Sequence, residues 1–154
     1  MDNSKLAGHR ILNSTKIQKL ISELVSAVEA EESSLTAASS PKAEALDHGK
    51  RVFDEIAKHR GRPLNYQFIG TGAGHGAYVE VEDGSVKMDL INGIGVHLFG
   101  HGHTKIREAA VRGALSDVVM QGNLEPNHEY VKLSKQLVEL ASKNSRLRHV
   151  WFST

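Results

Sequence analysis

Three histidines lie close together in the middle of the sequence, where their spacing could serve a metal ion. His97, His101 and His103 form a His-x-x-x-His-x-His pattern, and His75 precedes them. Imidazole nitrogens are common ligands of zinc and other borderline metals. The run contains no clear fourth ligand, and the glycines within it favour a turn over a helix that would align positions four apart. A small His-based metal-binding domain is therefore one hypothesis, beside histidines that pack or cap a helix.

A glycine-rich run precedes these histidines and has some features of a phosphate-binding motif. Four glycines lie between residues 70 and 76. A dinucleotide-binding glycine motif must open a helix whose N-terminal amides face the phosphates, whereas here a strand-like pattern follows. We therefore interpret the run as a flexible approach to a hairpin, with glycines that allow positive φ or close backbone contact.

Composition narrows the function classes further. The 154 residues carry 19 Lys and Arg against 18 Asp and Glu, which gives a net charge of +1. So small a charge produces no overall electrostatic attraction to nucleic acid or to an anionic membrane. The absence of cysteine removes disulfides and cysteine nucleophiles. No apolar stretch approaches the roughly 20 residues of a membrane span. We expect a globular, cytoplasmic protein that binds neither nucleic acid nor membrane.

The first element that the sequence predicts is an amphipathic helix. Apolar residues recur at spacings of three and four from Ile17 to Val28, and Thr15 with Gln18 resembles a capping box. A run of small residues, 33–40, follows and is typical of a linker.

A second helix is predicted from Pro41 to the stop at Gly61. Two helices form a thin core, so we expect residues 1–62 to be a helical arm that packs on another domain or subunit.

The sequence pattern of residues 63–103 is typical of a hairpin followed by a turn. Alternating residues 78–81 and 86–90 flank Asp83 and Gly84, which predicts two strands joined by a tight turn. The apolar stretch 91–103 is interrupted by four glycines, which favours a buried irregular turn.

Residues 104–154 again favour helices. One is predicted from Thr104, and another follows the loop around 121–126. The β-branched and aromatic residues from Arg148 onward predict the start of a strand.

Three consecutive segments together resemble the opening of class III aminotransferases. They are Gly76-Ala77-Tyr78-Val79-Glu80-Val81-Glu82-Asp83-Gly84, Met88-Asp89-Leu90-Ile91-Asn92-Gly93-Ile94-Gly95-Val96 and Leu98-Phe99-Gly100-His101-Gly102-His103-Thr104-Lys105-Ile106. In that family a small hairpin segment precedes a Gly-rich turn, a Gly-His-x-His-Pro motif and a helix. Thr104 stands in place of the usual proline.

This resemblance implies an α+β fold with N-terminal helices, a small β-hairpin segment, and helices leading into the first strand of a truncated fold-type I large domain. It implies pyridoxal phosphate as the cofactor of the complete protein and amino transfer between an amine or amino acid and a keto acid. The family's catalytic lysine and phosphate loop lie downstream of the matching segments. We therefore expect this chain to be an N-terminal portion that contains no catalytic residue, is inactive alone and does not bind the cofactor by itself.

The resemblance also implies site residues. The turn Asn92, Gly93, Ile94 and Gly95 corresponds to the family segment that borders the substrate pocket, where Ile94 would provide an apolar wall. Two pairs correspond to positions near the cofactor: Gly122 and Asn123, Ser153 and Thr154.

Partners follow from the same comparison. We expect a homodimer or higher oligomer, with a small-molecule amino donor and a keto acid as substrates of the complete protein. A non-catalytic interaction or regulatory module that associates with a full subunit is the main alternative, beside the metal-binding domain.

Overall fold

The computed structural model describes residues 6–66, 68–116 and 127–152, and they form an α+β structure, as expected. The chain divides into two compact units, Met1–Arg112 and Gly113–Thr154, each described here by itself. The elements are α1 (Ala7–Leu12), α2 (Thr15–Glu32), a 3₁₀ turn (Ala43–Ala45), α3 (Leu46–Arg60), β1 (Gly70–His75), β2 (Tyr78–Val81), β3 (Val86–Met88), α4 (Asn92–Gly95), α5 (Thr104–Ala114) and α6 (His128–Ala141).

The centre of the first unit is an antiparallel sheet in the order β1-β2-β3. The predicted hairpin is confirmed, with Val79 opposite Lys87 across β2 and β3. The glycine run, interpreted as a flexible approach, is strand β1, where Gly74 lies opposite Val79. Glycine gives no strand signal in a sequence because it has no side chain to alternate, so only the main-chain pairing with β2 reveals the strand.

Helix α2 packs on this sheet, and α1 packs on α2. The buried apolar side chains come from α2, the segment after it and the sheet: Ile21, Val25, Leu35, Val81 and Val86. The segment after α2 joins the sheet directly, because the Ser39 amide donates to the Val86 carbonyl at 3.0 Å. The predicted helical arm therefore has a partner surface within its own unit.

Helix boundaries differ from the predictions at two starts. α2 begins one residue earlier than a capping box on Thr15 would require, because Ser14 is the N-cap and its Oγ accepts from the Ile17 amide at 3.4 Å. Residues at Pro41 stay extended, and α3 begins only at Leu46 after the 3₁₀ turn. Gly61 ends α3 in the left-handed conformation, as predicted.

α3 is fixed to the hairpin turn by polar contacts. The Lys42 amide donates to the Asp83 carbonyl at 3.0 Å, and His48 Nε2 lies 2.7 Å from Glu82 Oε2. The helix therefore lies against the turn between β2 and β3.

A buried ion pair, which we call the Glu32 clasp, joins α2, β1 and α5. The guanidinium of Arg107 donates to both carboxylate oxygens of Glu32, at 2.7 Å for Nη2 to Oε1. The Gly74 amide donates to the same Oε1 at 3.2 Å. Burial by itself would raise the pKa of Glu32, but the hydrogen bonds from Arg107 and Gly74 outweigh that effect and hold the pKa below its usual value.

The second unit contains the predicted last helix, α6. Asn127 is its N-cap and accepts from the Tyr130 amide at 2.9 Å. The Phe152 ring meets Tyr130 edge-on, with centroids 5.0 Å apart. Residues 147–152 form no strand with the rest of the described chain. The strand predicted from Arg148 onward therefore stays a prediction.

None of the helices in the described ranges is both long and apolar enough to cross a bilayer.

The Glu32 clasp predicts a pH-dependent loss of stability in the variant Glu32→Gln. Removing the charge leaves Arg107 without its anion, and we expect the free energy of unfolding at pH 7 to fall by about 2 kcal/mol, because Arg107 is a quarter exposed and the pair is not fully buried. Urea titrations would measure the difference.

The lowered pKa of Glu32 fixes the sign of the pH dependence. Its carboxylate stabilises the fold above the pKa of the unfolded chain, and this contribution is lost as the pH falls through the lower pKa of the folded protein. The difference between parent and variant should be complete at pH 7 and shrink below about pH 4. The exposed Glu44→Gln serves as control and should unfold like the parent at both pH values.

Candidate functional site

Helix α4 is a single turn with left-handed backbone geometry. All four of its residues have positive φ, from 56° at Asn92 to 87° at Gly95. Ile94 has φ 61°, a conformation that a β-branched residue rarely adopts. Such residues cost on the order of 1–3 kcal/mol and persist only where the surroundings impose them. The turn must therefore be held by contacts from outside.

The turn is exposed, which corrects the prediction that it would be buried. The side chain of Ile94 is 91% exposed and that of Leu90 is 85% exposed. The apolar pattern of residues 91–103 suggested burial, but the left-handed turn directs its largest side chain outward. A large apolar side chain in this position offers a surface for binding.

Asp89 supplies the contacts that hold the turn. Its Oδ1 accepts from the amides of Ile91 at 2.9 Å and Asn92 at 2.8 Å, and its Oδ2 accepts from Gly93 at 2.9 Å. In a left-handed turn consecutive amide N–H groups point to the same side, so one carboxylate can accept hydrogen bonds from all three. Gly93 must stay small, because a Cβ there would lie 2.4 Å from the His97 ring.

His101 completes this arrangement, which we call the Asp89 anchor. His101 Nε2 lies 2.8 Å from Asp89 Oδ2, and since an ionised carboxylate only accepts, Nε2 donates. The main chain of His101 exchanges two hydrogen bonds with Gly76, at 2.8 and 3.0 Å. The His97 ring stacks on His101 with centroids 3.9 Å apart. The β1–β2 corner therefore fixes His101, and His101 in turn orients Asp89.

The electrostatics of the Asp89 anchor favour an ionised carboxylate. The hydrogen bond from His101 lowers the pKa of Asp89 most, and the three amides lower it further against the opposing effect of desolvation. The anchor is therefore formed at neutral pH and is lost as acid protonates the carboxylate.

An open cleft of 730 Å³ lies beside the turn. Its walls are mostly apolar and come from the sheet and from the segments before β1 and before α4: Phe68, Val79, Val81, Val86, Met88, Leu90 and Ile91. Lys87 adds a cation to this wall, with Nζ 5.8 Å from the centroid of the Phe68 ring. The cleft and the exposed turn together form the candidate site.

The structure brings the predicted substrate-binding residues Asn92, Gly93, Ile94 and Gly95 together in α4. Their role in binding stays a prediction. The predicted cofactor contacts Gly122, Asn123, Ser153 and Thr154 lie outside the described residues.

The three histidines that were considered as metal ligands make different contacts in the structure. His101 belongs to the Asp89 anchor and His97 stacks on it, whereas His103 faces Phe99 with ring centroids 5.6 Å apart. His103 Nδ1 is buried and makes no hydrogen bond. Over residues 6–66, 68–116 and 127–152, no group of three or more potential ligands is placed to hold a metal ion. The metal-binding domain stays a prediction.

The roles of Asp89 and His101 were not predicted from the sequence, because an aspartate or a histidine does not by its residue type indicate such a role. The available signal was an aspartate followed by an Asn-Gly pair three and four residues later, a spacing at which a carboxylate can accept from the amides of a turn. The pairing with His101 joins residues twelve apart and depends on the corner at Gly76.

Replacing Asp89 by Asn tests the anchor. The variant Asp89→Asn keeps one acceptor oxygen, but the NH2 group that replaces Oδ2 cannot accept from Gly93 or His101, so the turn should open more often. We expect the amides of Ile91, Asn92 and Gly93 to exchange hydrogen about tenfold faster at pH 7. Hydrogen exchange followed by mass spectrometry or NMR would measure this.

The control for this experiment is Asp54→Asn, on the exposed side of α3. Unchanged exchange at residues 91–93 in Asp89→Asn would contradict the anchor. In the parent protein, protection of these amides should persist down to about pH 4 and fall only when Asp89 is protonated.

Comparison with known proteins finds a partial similarity to aminotransferases. The chain is 34% identical over 80 residues to acetylornithine aminotransferases of Mycobacterium bovis and Mycobacterium tuberculosis. The matched segment is 52% of this chain and 20% of each of those proteins, so the chain spans about a fifth of the length of the curated relatives it matches. No protein-family model matches, and no solved structure matches significantly. The chain is therefore similar over half its length to part of an aminotransferase.

Proposed function

We propose that this chain is the N-terminal part of a pyridoxal-phosphate-dependent class III aminotransferase. The observation that carries the proposal is the 34% identity over 80 residues to acetylornithine aminotransferases. The order of the hairpin, the Gly-rich turn and the Gly-His-x-His motif supports it, because the same order is typical of that class.

The proposed reaction moves an amino group from an amine or amino acid to a keto acid. The names of the relatives make acetylornithine the first amino donor to examine. Pyridoxal phosphate, when bound, supplies an electron sink for the carbanion of the substrate. The residues described here contribute to the shape of the pocket and not to bond breaking.

Within this proposal, α4 is one wall of the substrate pocket. The Asp89 anchor holds the turn rigid, so Ile94 presents its side chain in one orientation at little further entropic cost. A rigid apolar wall selects between donors by the shape of the side chain rather than by charge. Asn92, Gly93 and Gly95 set the left-handed backbone that places Ile94 there.

The turn itself does not fit the cofactor phosphate. Its converging amides, those of Ile91, Asn92 and Gly93, are already occupied by Asp89. An anion placed there would have to displace a carboxylate. We therefore propose that the phosphate is held at the other predicted positions, Gly122 and Asn123 with Ser153 and Thr154.

A cofactor experiment on the full-length protein tests the proposed function. Addition of pyridoxal phosphate should produce a new absorption band in the visible range, as expected for the cofactor joined to a lysine. Borohydride should then fix the cofactor to one lysine, which peptide mapping would place outside residues 1–154. The 154-residue chain alone should show neither the band nor the fixed cofactor.

Two results would overturn this proposal in favour of the alternatives. A full-length protein that binds no pyridoxal phosphate and moves no amino group from acetylornithine to any keto acid would support an interaction module. Zinc that copurifies at one equivalent and is lost in His97→Ala and His103→Ala would support the metal-binding domain.

The role of Ile94 is tested by shortening its side chain. In Ile94→Ala the turn keeps its backbone but loses the apolar wall, so KM for the preferred donor should rise about five- to tenfold while kcat changes little. Leu46→Ala, which removes a half-exposed apolar side chain from α3, is the control and should leave both constants unchanged. An equal loss of kcat and kcat/KM in Ile94→Ala would contradict a role limited to binding.

A further inference from the structure

Helix α2 has one broad apolar face, and its own unit covers only one edge of that face. Ile21 and Val25 are 5% and 2% exposed. Leu20, Leu24 and Val28 are 55%, 53% and 40% exposed. These three residues recur every four positions and form a continuous line, which we call the α2 stripe. A continuous line of partly exposed apolar side chains on one helix is suited to a partner.

Neighbouring elements leave the α2 stripe open. α1 contacts α2 on the side of Gln18, whose Nε2 donates to the Leu12 carbonyl at 3.1 Å. Gln18 points about 200° around the helix from Leu20, so α1 lies on the opposite side.

Charges at the two ends of the α2 stripe have opposite signs. Lys16 lies one turn before Leu20, and Glu31 lies three residues after Val28, so both continue the same line. Both are exposed. Lys19 and Glu23 form an ion pair with each other at 3.6 Å and add no net charge to the line. The apolar α2 stripe is thus flanked by a cation before its start and by a carboxylate after its end.

We propose that α2 pairs antiparallel with α2 of a second copy of this chain, around a two-fold axis near Leu24. A two-fold axis brings the same patch of both copies together, so the patch must complement itself when reversed. The α2 stripe does: Lys16 of one copy lies near Glu31 of the other, Leu20 lies near Val28, and Leu24 meets Leu24. A parallel pair would place Lys16 against Lys16 and Glu31 against Glu31.

The dipoles of the two helices favour the same arrangement. Antiparallel neighbours place the positive N-terminal end of one helix beside the negative C-terminal end of the other. From Leu20 to Val28 the α2 stripe covers half of the 18 residues of α2, about 12 Å of helix. This inference does not depend on the proposed aminotransferase activity.

Cysteine cross-linking in the full-length protein tests the contact. The 154 residues contain no cysteine, so each introduced thiol is identified by comparison with the parent protein. Under mild oxidation Leu24→Cys should form a disulfide-linked dimer at least about tenfold faster than Ser26→Cys, which is exposed about 200° around the helix. Equal rates in the two variants, or no dimer with Leu24→Cys, would overturn the proposal.

A charge exchange tests the antiparallel direction. Lys16→Glu and Glu31→Lys should each slow the cross-linking of Leu24→Cys, because each places like charges opposite one another, and the double variant should restore it. Lys16, Leu24 and Glu31 are all exposed, so circular dichroism should show unchanged helix content. Failure of the double variant to recover would rule out this register. Protection of Leu24→Cys from a thiol reagent in a monomer would show that another part of the same chain covers the stripe, and would also overturn the proposal.

Discussion

The fold of the first unit depends on one buried ion pair, the Glu32 clasp. Glu32 ends α2, Arg107 lies on α5, and the amide of Gly74 belongs to β1, so one carboxylate joins three elements. The apolar core beside it is small, and only five apolar residues in the described ranges are buried. Because a buried carboxylate is costly without partners, the three elements must come together for Glu32 to be accommodated.

The candidate site repeats this arrangement nearer the surface. Asp89 does for the left-handed turn what Glu32 does for the helices, since each carboxylate accepts from the main chain and from one side chain. Asp89 accepts from three amides and His101, and Glu32 accepts from the Gly74 amide and Arg107. The rigidity of the two sites has a common origin. β1 contacts the Glu32 clasp through Gly74, and the corner after β1 holds His101 through Gly76. The position of the exposed Ile94 is therefore linked to the core through β1.

Sequence reasoning succeeded where side chains carry a local pattern. The period of α2, the Asp-Gly turn between β2 and β3 and the stop at Gly61 are encoded by neighbouring residues, and the structure has all three. Strand β1 was missed because glycines carry no pattern, and the exposure of the turn was missed because apolar residues suggest burial. The Glu32 clasp could not be predicted, because its partners lie 42 and 75 residues apart in sequence.

These separations set an order of assembly during synthesis. β2 and β3 are adjacent in sequence and can pair as soon as both leave the ribosome. Glu32 must wait for Arg107, 75 residues later, which takes about 4–15 s at ordinary rates of translation. During that interval the acidic end of α2 lacks its cation, and the α2 stripe is uncovered. The nascent chain is therefore most open to chaperones, or to pairing with a neighbouring nascent copy, before α5 emerges.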